Sequence, residues 1–482
     1  MDSSFLKCWA KPELQGCSDL VLTCFVPKRS LSPMNSSRRR FLQSAGIAAT
    51  VVAAQPAALL GQEGAAEKSD KKLPAPIAKL KSRKAEAKPI TAEERQERLD
   101  RARQLMAENK LDAMMLIGGT SLLYFTGIRW WLSERLFAMV VPAKGKPFYV
   151  CPAFEEDRAR EQIANAPDGK NPDIRLWQED DSPYQLVAEG LKDRGISAGR
   201  LGTEETVRYV FSDGVRAAAA AMESASGMKN VSMCAPALEQ VSATPITAGC
   251  RMIKSAHELQ LMKLANEVTL AAYEAAYRST KEGMTQHDFR DLVAMAHDRQ
   301  GFQGGASIQV GQYSALPHGS AKPQVIREGT ILLMDGGCKV EDYESDISRT
   351  VVLGKPTDKM KKVFDIVHRA QTRALAAAKP GVPCEAVDAA ARKVIVDAGY
   401  GPDYKYFTHR VGHGIGMDGH EWPYLVRGDK LLMKPRMCFS DEPGIYIRGE
   451  FGVRLEDDMH ITENGAELFT PQSPSLEEPF GK

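Results

Sequence analysis

The chain has 482 residues, with 63 basic side chains against 62 acidic ones for a formal charge of +1, and 43% of its residues are hydrophobic. That length suggests two or three domains with material for a large core. The charge balance excludes a global attraction to nucleic acid or to an anionic membrane surface.

Near the start, Ser37-Arg38-Arg39-Arg40-Phe41-Leu42-Gln43 precedes the uncharged run Ser44 to Ala54. The run is too short to span a bilayer, which needs about 20 apolar residues, and the pattern resembles a twin-arginine export signal. The expectation is a signal over 34–61, a periplasmic or secreted protein, and no stable membrane span after processing. Residues 1–33 read as an over-long gene start or leader, because the basic region begins naturally at Met34. Cys8, Cys17 and Cys24 fall in that leader, and the later six cysteines contain no C-x-x-C, so no disulfide framework is implied.

Residues 62–90 are rich in Ala, Lys, Glu and Pro and read as a disordered linker. Thr91 to Glu94 is a capping box that opens a helix to about Asn109. Strands follow at Ala113–Ile117, Leu136–Val141 and Pro147–Cys151, with helical patterns near Tyr184–Arg194 and Val215–Glu223. This describes an α/β domain over 91–247 that holds no histidine and so lacks the chemistry. Arg129-Trp130-Trp131 reads as core or dimer packing rather than a substrate contact.

From residue 248 to 482 the order repeats. Helices from Ser255 and Thr285 precede a hairpin over Thr330–Leu353; helices over Asp358–Ala378 and Cys384–Ala398 precede a second hairpin between Met437 and Ile461. Two helix-helix-hairpin halves suggest a pseudo-twofold α+β domain with a site between them.

Three of the nine histidines, His409, His413 and His420, lie in one glycine-rich stretch that cannot be helical. Its Gly414-Ile-Gly416-Met-Asp-Gly419 fits G-x-G-x-x-G, but Trp422-Pro423 follows instead of a helix, and His420-Glu421 lacks the second histidine of H-E-x-x-H. Residues equidistant from a hairpin turn face each other on one side of the sheet. Centring the first hairpin at Val340-Glu341 opposes Asp335 to Asp346, and centring the second on Gly449 opposes Glu442 to Glu456. Like charges so opposed destabilise a sheet unless cations lie between them. Four carboxylates with His413 suit two hard divalent ions better than a sulfur-rich zinc site does.

Asp335 and, 11 positions on, Asp346, then His413, Glu442 in Asp441-Glu-Pro-Gly-Ile-Tyr446 and Glu456 in Gly452-Val-Arg-Leu-Glu-Asp457 together resemble the pita-bread metallopeptidases. That family includes methionine aminopeptidase, aminopeptidase P, prolidase and creatinase. The H-x-x-G-H-x-x-G-x-x-x-H-E loop from His409 to Glu421 resembles the proline-specific branch, although Gly419 stands where that pattern usually has Val or Ile. The preceding α/β domain is similar to the creatinase-like N-terminal domain. The resemblance implies a metallo-exopeptidase cleaving Xaa-Pro bonds in proline-containing peptides, either an aminopeptidase or a dipeptidase, through a metal-bridging hydroxide. It also implies two divalent ions, Mn²⁺ foremost with Co²⁺ or Zn²⁺ as alternatives, and a homodimer or homotetramer.

By the same resemblance Asp346 and Glu456 bridge the ions, Asp335 completes one, and His413 and Glu442 complete the other. Glu442 also takes the water's proton, His420 faces the carbonyl oxygen, His318 serves the substrate or leaving nitrogen, and His409 lines the proline pocket. Arg454 shares a strand face with Glu456 and is expected to support it. Arg410, Arg427 and Arg448 remain open as clamps for a dipeptide's carboxylate. The rival readings are a same-fold hydrolase or lyase acting on a small non-peptide substrate and a non-catalytic binding module; the full ligand set speaks against both.

Overall fold

A computed structural model of the chain describes residues 73–225 and 238–481. The expected leader and export signal lie outside the described residues, as does 62–72. The described part of the expected linker is not a solvated tether. Pro74 opens a short helix, Ala75–Ala78, whose Ile77 is fully buried with Tyr273, Ala276 and Phe289. Arg83 then pairs with Glu267 at 2.9 Å, and Ile90 enters the neighbouring core. Average composition concealed these anchors, to which Leu80 and the Arg83 amide's bond to the Gln300 carbonyl add.

The first domain carries a six-stranded mixed sheet in the spatial order Ile174–Trp177, Phe148–Pro152, Ala138–Pro142, Ala113–Ile117, Gly199–Thr203, Leu238–Ser242. Ala113–Ile117 is buried along its whole length, which explains why it reads as a continuous apolar run rather than an alternation. Helix Ala92–Glu108 starts at the expected capping box, with Thr91 and Glu94 satisfying each other's backbone amides. In the Arg129-Trp130-Trp131 segment, Trp130 stacks on Phe137 in the core at 3.9 Å. Trp131 is 61% exposed, and Arg129 pairs with Asp342 of the second domain.

The second domain has the duplicated order. Helices Ala256–Tyr277 and Gln286–Gln300 precede a three-stranded antiparallel sheet of Ser307–Val310, Ile331–Gly336 and Ile347–Val352. Helices Asp358–Ala377 and Cys384–Asp397 precede a five-stranded sheet in the order Glu421–Leu425, Gly412–Gly414, Cys438–Asp441, Asp457–Ile461, Ala466–Leu468. The strand Ser307–Val310 was not expected, and the histidine-rich stretch is strand at Gly412–Gly414, which pairs with Glu421–Leu425, while His409 and His420 lie outside those strands. Its glycines are needed for close approach: a Cβ on Gly412 would lie 2.0 Å from the Ser440 carbonyl oxygen. Cys151, Cys250, Cys338, Cys384 and Cys438 are free and buried.

The register of the first hairpin differs from expectation. Ser348, not Asp346, faces Asp335, and the turn is centred on Glu341 and Asp342, both at positive φ (47° and 69°). The expected centre would have required a left-handed Val340, which a β-branched side chain resists. The displacement along the partner strand is two residues, so Asp335 and Asp346 still share a face. The second hairpin has the expected register, with Ile447 facing Phe451 and Gly444 facing Arg454.

Candidate metal centre

The two halves meet where Glu456 leaves its own ladder and bridges to Ser348, its amide donating to the Ser348 carbonyl at 3.1 Å. This junction brings together side chains more than a hundred residues apart. Donor atoms of Asp335, Asp346 and Glu456 lie within 4.8 Å of one another, as do those of His413, Glu442 and Glu456. All five expected ligands therefore converge. A third group joins His420 to Asp346 and His413, so His420 also comes within reach of a cation.

Each donor is held from behind. The Asp346 amide donates to Asp458 Oδ2 at 2.9 Å, and Asn266 donates to the same oxygen at 3.0 Å. The Glu442 amide donates to the Val411 carbonyl at 2.8 Å, and the His413 amide donates to Ser440 Oγ at 3.0 Å. The far end of the histidine ribbon is anchored by Glu421, which takes Lys254 at 2.6 Å and also Arg251, and by Asp418, which pairs with Arg251 at 2.6 Å. Gly419 faces Glu344, whose carboxylate would lie 3.0 Å from an added Cβ.

The rings have complementary protonation. His413 Nδ1 lies 3.1 Å from the Gly414 carbonyl; a carbonyl only accepts, so Nδ1 carries the proton and the Nε2 lone pair faces Glu442 Oε1 at 3.3 Å and Asp346 Oδ2 at 3.9 Å. Burial, then His420, pulls His413 down to about 3, so the ring is a neutral donor. His420 stacks on His413 with centroids 3.7 Å apart. Its Nδ1 lies 3.3 Å from Arg410 Nη2; a guanidinium only donates, so the His420 proton sits on Nε2. Burial and Arg410 lower His420 as well. His318 is exposed and close enough to lower both His409 and His420.

His409 ends a chain of polar contacts. Its Nδ1 donates to the Arg410 carbonyl at 2.8 Å, and its Nε2 accepts from the Tyr446 hydroxyl at 2.7 Å. Tyr446 accepts from Arg454 Nη1 at 3.2 Å, and Arg454 pairs with Asp335 at 2.5 Å. Arg454 reaches Glu456 at only 3.9 Å, so its main carboxylate partner is Asp335 rather than the expected Glu456. Ser348 makes the shorter link: its Oγ accepts from Arg454 Nε at 2.8 Å and lies 2.7 Å from both Asp335 Oδ1 and Glu456 Oε2. Sequence reasoning passed over Ser348 and Tyr446. Period-two spacing from Asp346 and from Glu442 points to both.

The donor set itself tests whether cations fit. Burial first, then neighbouring carboxylates, pushes Asp346, Glu442 and Glu456 well above the ordinary carboxylate range. Ser348 has one proton for two carboxylate oxygens, and Arg454 is a single positive charge among four acids. Such an excess of buried negative charge is relieved by cations between the oxygens, and carboxylates with one neutral imidazole suit hard divalent ions. The residues fit two of them.

Residues 260–463 match the model of metallopeptidase family M24, and residues 98–253 match the Creatinase/Prolidase N-terminal domain. An Xaa-Pro dipeptidase of Lactobacillus delbrueckii subsp. lactis is 32% identical over 78% of this chain and 98% of its own length. The chain belongs to metallopeptidase family M24. The crystal structure of dipeptidase PepE from Mycobacterium ulcerans superposes with a TM-score of 0.72 at 30% identity, covering 81% of this chain and 99% of that one. An Xaa-Pro dipeptidase from Bacillus anthracis gives 0.66 at 28% identity, over 80% and 99%. This M24 member thus pairs a creatinase-type N-terminal domain with a pita-bread catalytic domain, and enzymes of the family use divalent metal ions. Among the described residues no helix is long and apolar enough to cross a membrane.

Proposed function

We propose that this M24 peptidase is a manganese-dependent exopeptidase that hydrolyses the bond before proline. The observation that carries the reading is the convergence of Asp335, Asp346, His413, Glu442 and Glu456 beside a stacked His420 whose free N–H is fixed by Arg410. Relatives named Xaa-Pro dipeptidase support the substrate class.

Asp346, Glu456 and His413 each occur in two donor groups; the two carboxylates, with two oxygens each, would be shared between the ions, Asp335 would complete one ion, and His413 and Glu442 the other. When bound, the ions supply a water acidified towards neutrality and an electrophile for the peptide carbonyl. His420 Nε2–H donates to the carbonyl oxygen as negative charge develops there. Glu442, its proton affinity raised by burial, receives the attacking water's proton, and His318 faces the leaving nitrogen. His409, held by Tyr446, forms the wall against the proline ring.

The test strips the full-length protein of metal and assays Xaa-Pro and Xaa-Pro-Yaa peptides with Mn²⁺, Co²⁺ or Zn²⁺ restored. Mn²⁺-dependent release of the first residue is expected; binding without turnover under every metal would return the binding-module reading. Export by the twin-arginine route is also proposed, on the sequence of residues 37–54. Replacing Arg38, Arg39 and Arg40 together by Lys should leave the enzyme in the cytosolic fraction. Assembly as a homodimer or homotetramer is proposed on family resemblance and is read by light scattering.

A further inference from the structure

We propose that Thr120 of the first domain is a positioning residue for His420, so that the domain with no histidine of its own helps to stabilise the transition state. This rests on the peptidase reading above and goes beyond it, because that reading takes every working group from the second domain. An N–H that answers developing charge is effective only if it is aimed before the charge appears. His420 has little of its own to aim it. The residue is exposed, its ring stacks on His413, and among the described residues its side chain has one hydrogen bond, 3.3 Å long, to Arg410. Its direction is set by the backbone on either side.

The first domain grips that backbone on both sides. Two residues before His420, Asp418 Oδ1 accepts from the Thr120 hydroxyl at 2.6 Å. Two residues after it, the Trp422 indole N–H donates to Glu205 Oε2 at 3.4 Å. Thr120 begins the helix Thr120–Thr126, and Glu205 lies just beyond the strand Gly199–Thr203. Their neighbours Ser121 and Glu204 are buried and joined to each other, the hydroxyl donating to the carboxylate at 2.5 Å. The two grips therefore belong to one unit of the first domain.

Of the two, Thr120 makes the shorter and more directional contact. The other oxygen of Asp418 accepts from Arg251 Nη2 at 2.6 Å; the same nitrogen reaches Glu421, whose second oxygen takes Lys254 at 2.6 Å. Arg251 alone would leave Asp418 free to turn about one contact, and the Thr120 hydroxyl fixes the second oxygen and with it the plane of the carboxylate. Beside this frame lies a cavity of about 60 Å³ lined by Glu204, Arg251, Asp418, His420 and Trp422. It gives the imidazole room to turn aside when the frame slackens.

The test is a double-mutant cycle in the full-length enzyme under saturating Mn²⁺. It reads kcat and KM for wild type, Thr120→Val, His420→Ala and the double variant on whichever of Ala-Pro and Ala-Pro-Ala is cleaved faster. The Asp418 side chain is 41% exposed, so water takes the place of the lost hydroxyl and the fold survives. Thr120→Val is expected to lower kcat about tenfold, with KM within about twofold and bound metal unchanged, and Thr120→Ser to restore most of the rate. In the His420→Ala background the same substitution should cost less than about twofold, because no donor remains to be aimed. An equal loss in both backgrounds, or no loss in the wild-type background, overturns the proposal while leaving the peptidase reading intact. A His420→Ala variant as active as wild type overturns the oxyanion role of His420 and the role of Thr120 with it. Wild-type enzyme that cleaves neither peptide with metal supplied overturns the peptidase reading itself.

Discussion

The two hairpins that supply the acids reach one centre by different means. In the first, the ladder runs from Ile331 and Val352 to Gly336 and Ile347, breaks where the Asp346 amide turns to Asp458, and resumes in the same register at Lys339 and Glu344, with Asp335 and Asp346 offset by two residues. Gly337 makes room where the chain closes in, since a Cβ there would lie 1.8 Å from the Ser345 carbonyl. In the second, the ladder is interrupted at the acids: Cys438–Asp441 pairs with Asp457–Ile461 and Gly444–Ile447 with Phe451–Arg454, while Glu442 and Glu456 fall in the gap. There Glu442 turns to Val411 and Glu456 to Ser348. Like charges are thus separated by an offset in one half and by a gap in the ladder in the other, and an amide from each half, Asp346 and Glu456, crosses to join them.

If Glu456 is the side chain common to both halves, Glu456→Gln should cost the most. Activity should fall by about 10³-fold or more, near 4 kcal/mol of transition-state stabilisation, and elemental analysis should show metal lost from the whole centre. Retention of one full ion would mean that the halves bind independently. The fully buried Arg349–Asp457 pair, 2.6 Å long, ties the first half's strand to the second half's. Asp457→Ala leaves that guanidinium without its counter-charge and should lower stability by about 3–5 kcal/mol in denaturant melts. Ser348→Ala keeps both ladders but removes their shared hydroxyl. A loss of about 10- to 100-fold in metal affinity or activity is expected, with Tm nearly unchanged when metal is bound.

A smaller effect separates the electrostatics of acids and histidines. A carboxyl raised in the folded state contributes stability that is fully present below its unfolded value and lost as pH climbs to the folded one. A lowered imidazole contributes stability present above its unfolded value and lost as pH falls. His409 and His413, each lowered to about 3 from 6.5, are neutral in both states above pH 6.5. From there to about 8, where Asp458 still titrates, only the raised acids act. The Tm of metal-free protein should fall across that window, and Mn²⁺ at 100 times its Kd should restore about 2.7 kcal/mol. A Tm that rises with pH over the same window would contradict the burial assigned to these acids.

Much of the centre was legible before folding. Residue type, order and spacing named Asp335, Asp346, His413, Glu442 and Glu456, whose donor atoms the fold brings together, because donor chemistry is carried by side-chain type. Capping boxes at Thr91 and Ser255 marked helix starts because their hydrogen bonds close within four residues. Less legible was anything that depends on what a side chain meets across the fold. Arg454 shares a strand face with Glu456, yet its nearest acid is Asp335 on the other half. Residues 73–90 look unstructured by composition, yet Ile77 and Arg83 dock against helix Ala256–Tyr277.

The sequence by itself determined the donor chemistry, the duplicated element order and the second hairpin's register, all of which follow from local periodicity and residue type. Tertiary structure alone decided the first hairpin's offset, the protonated nitrogen on each histidine, the junction through Ser348 and the grip of Thr120 on Asp418 beside His420. Those outcomes rest on contacts between segments far apart in the chain, whose geometry no local pattern encodes.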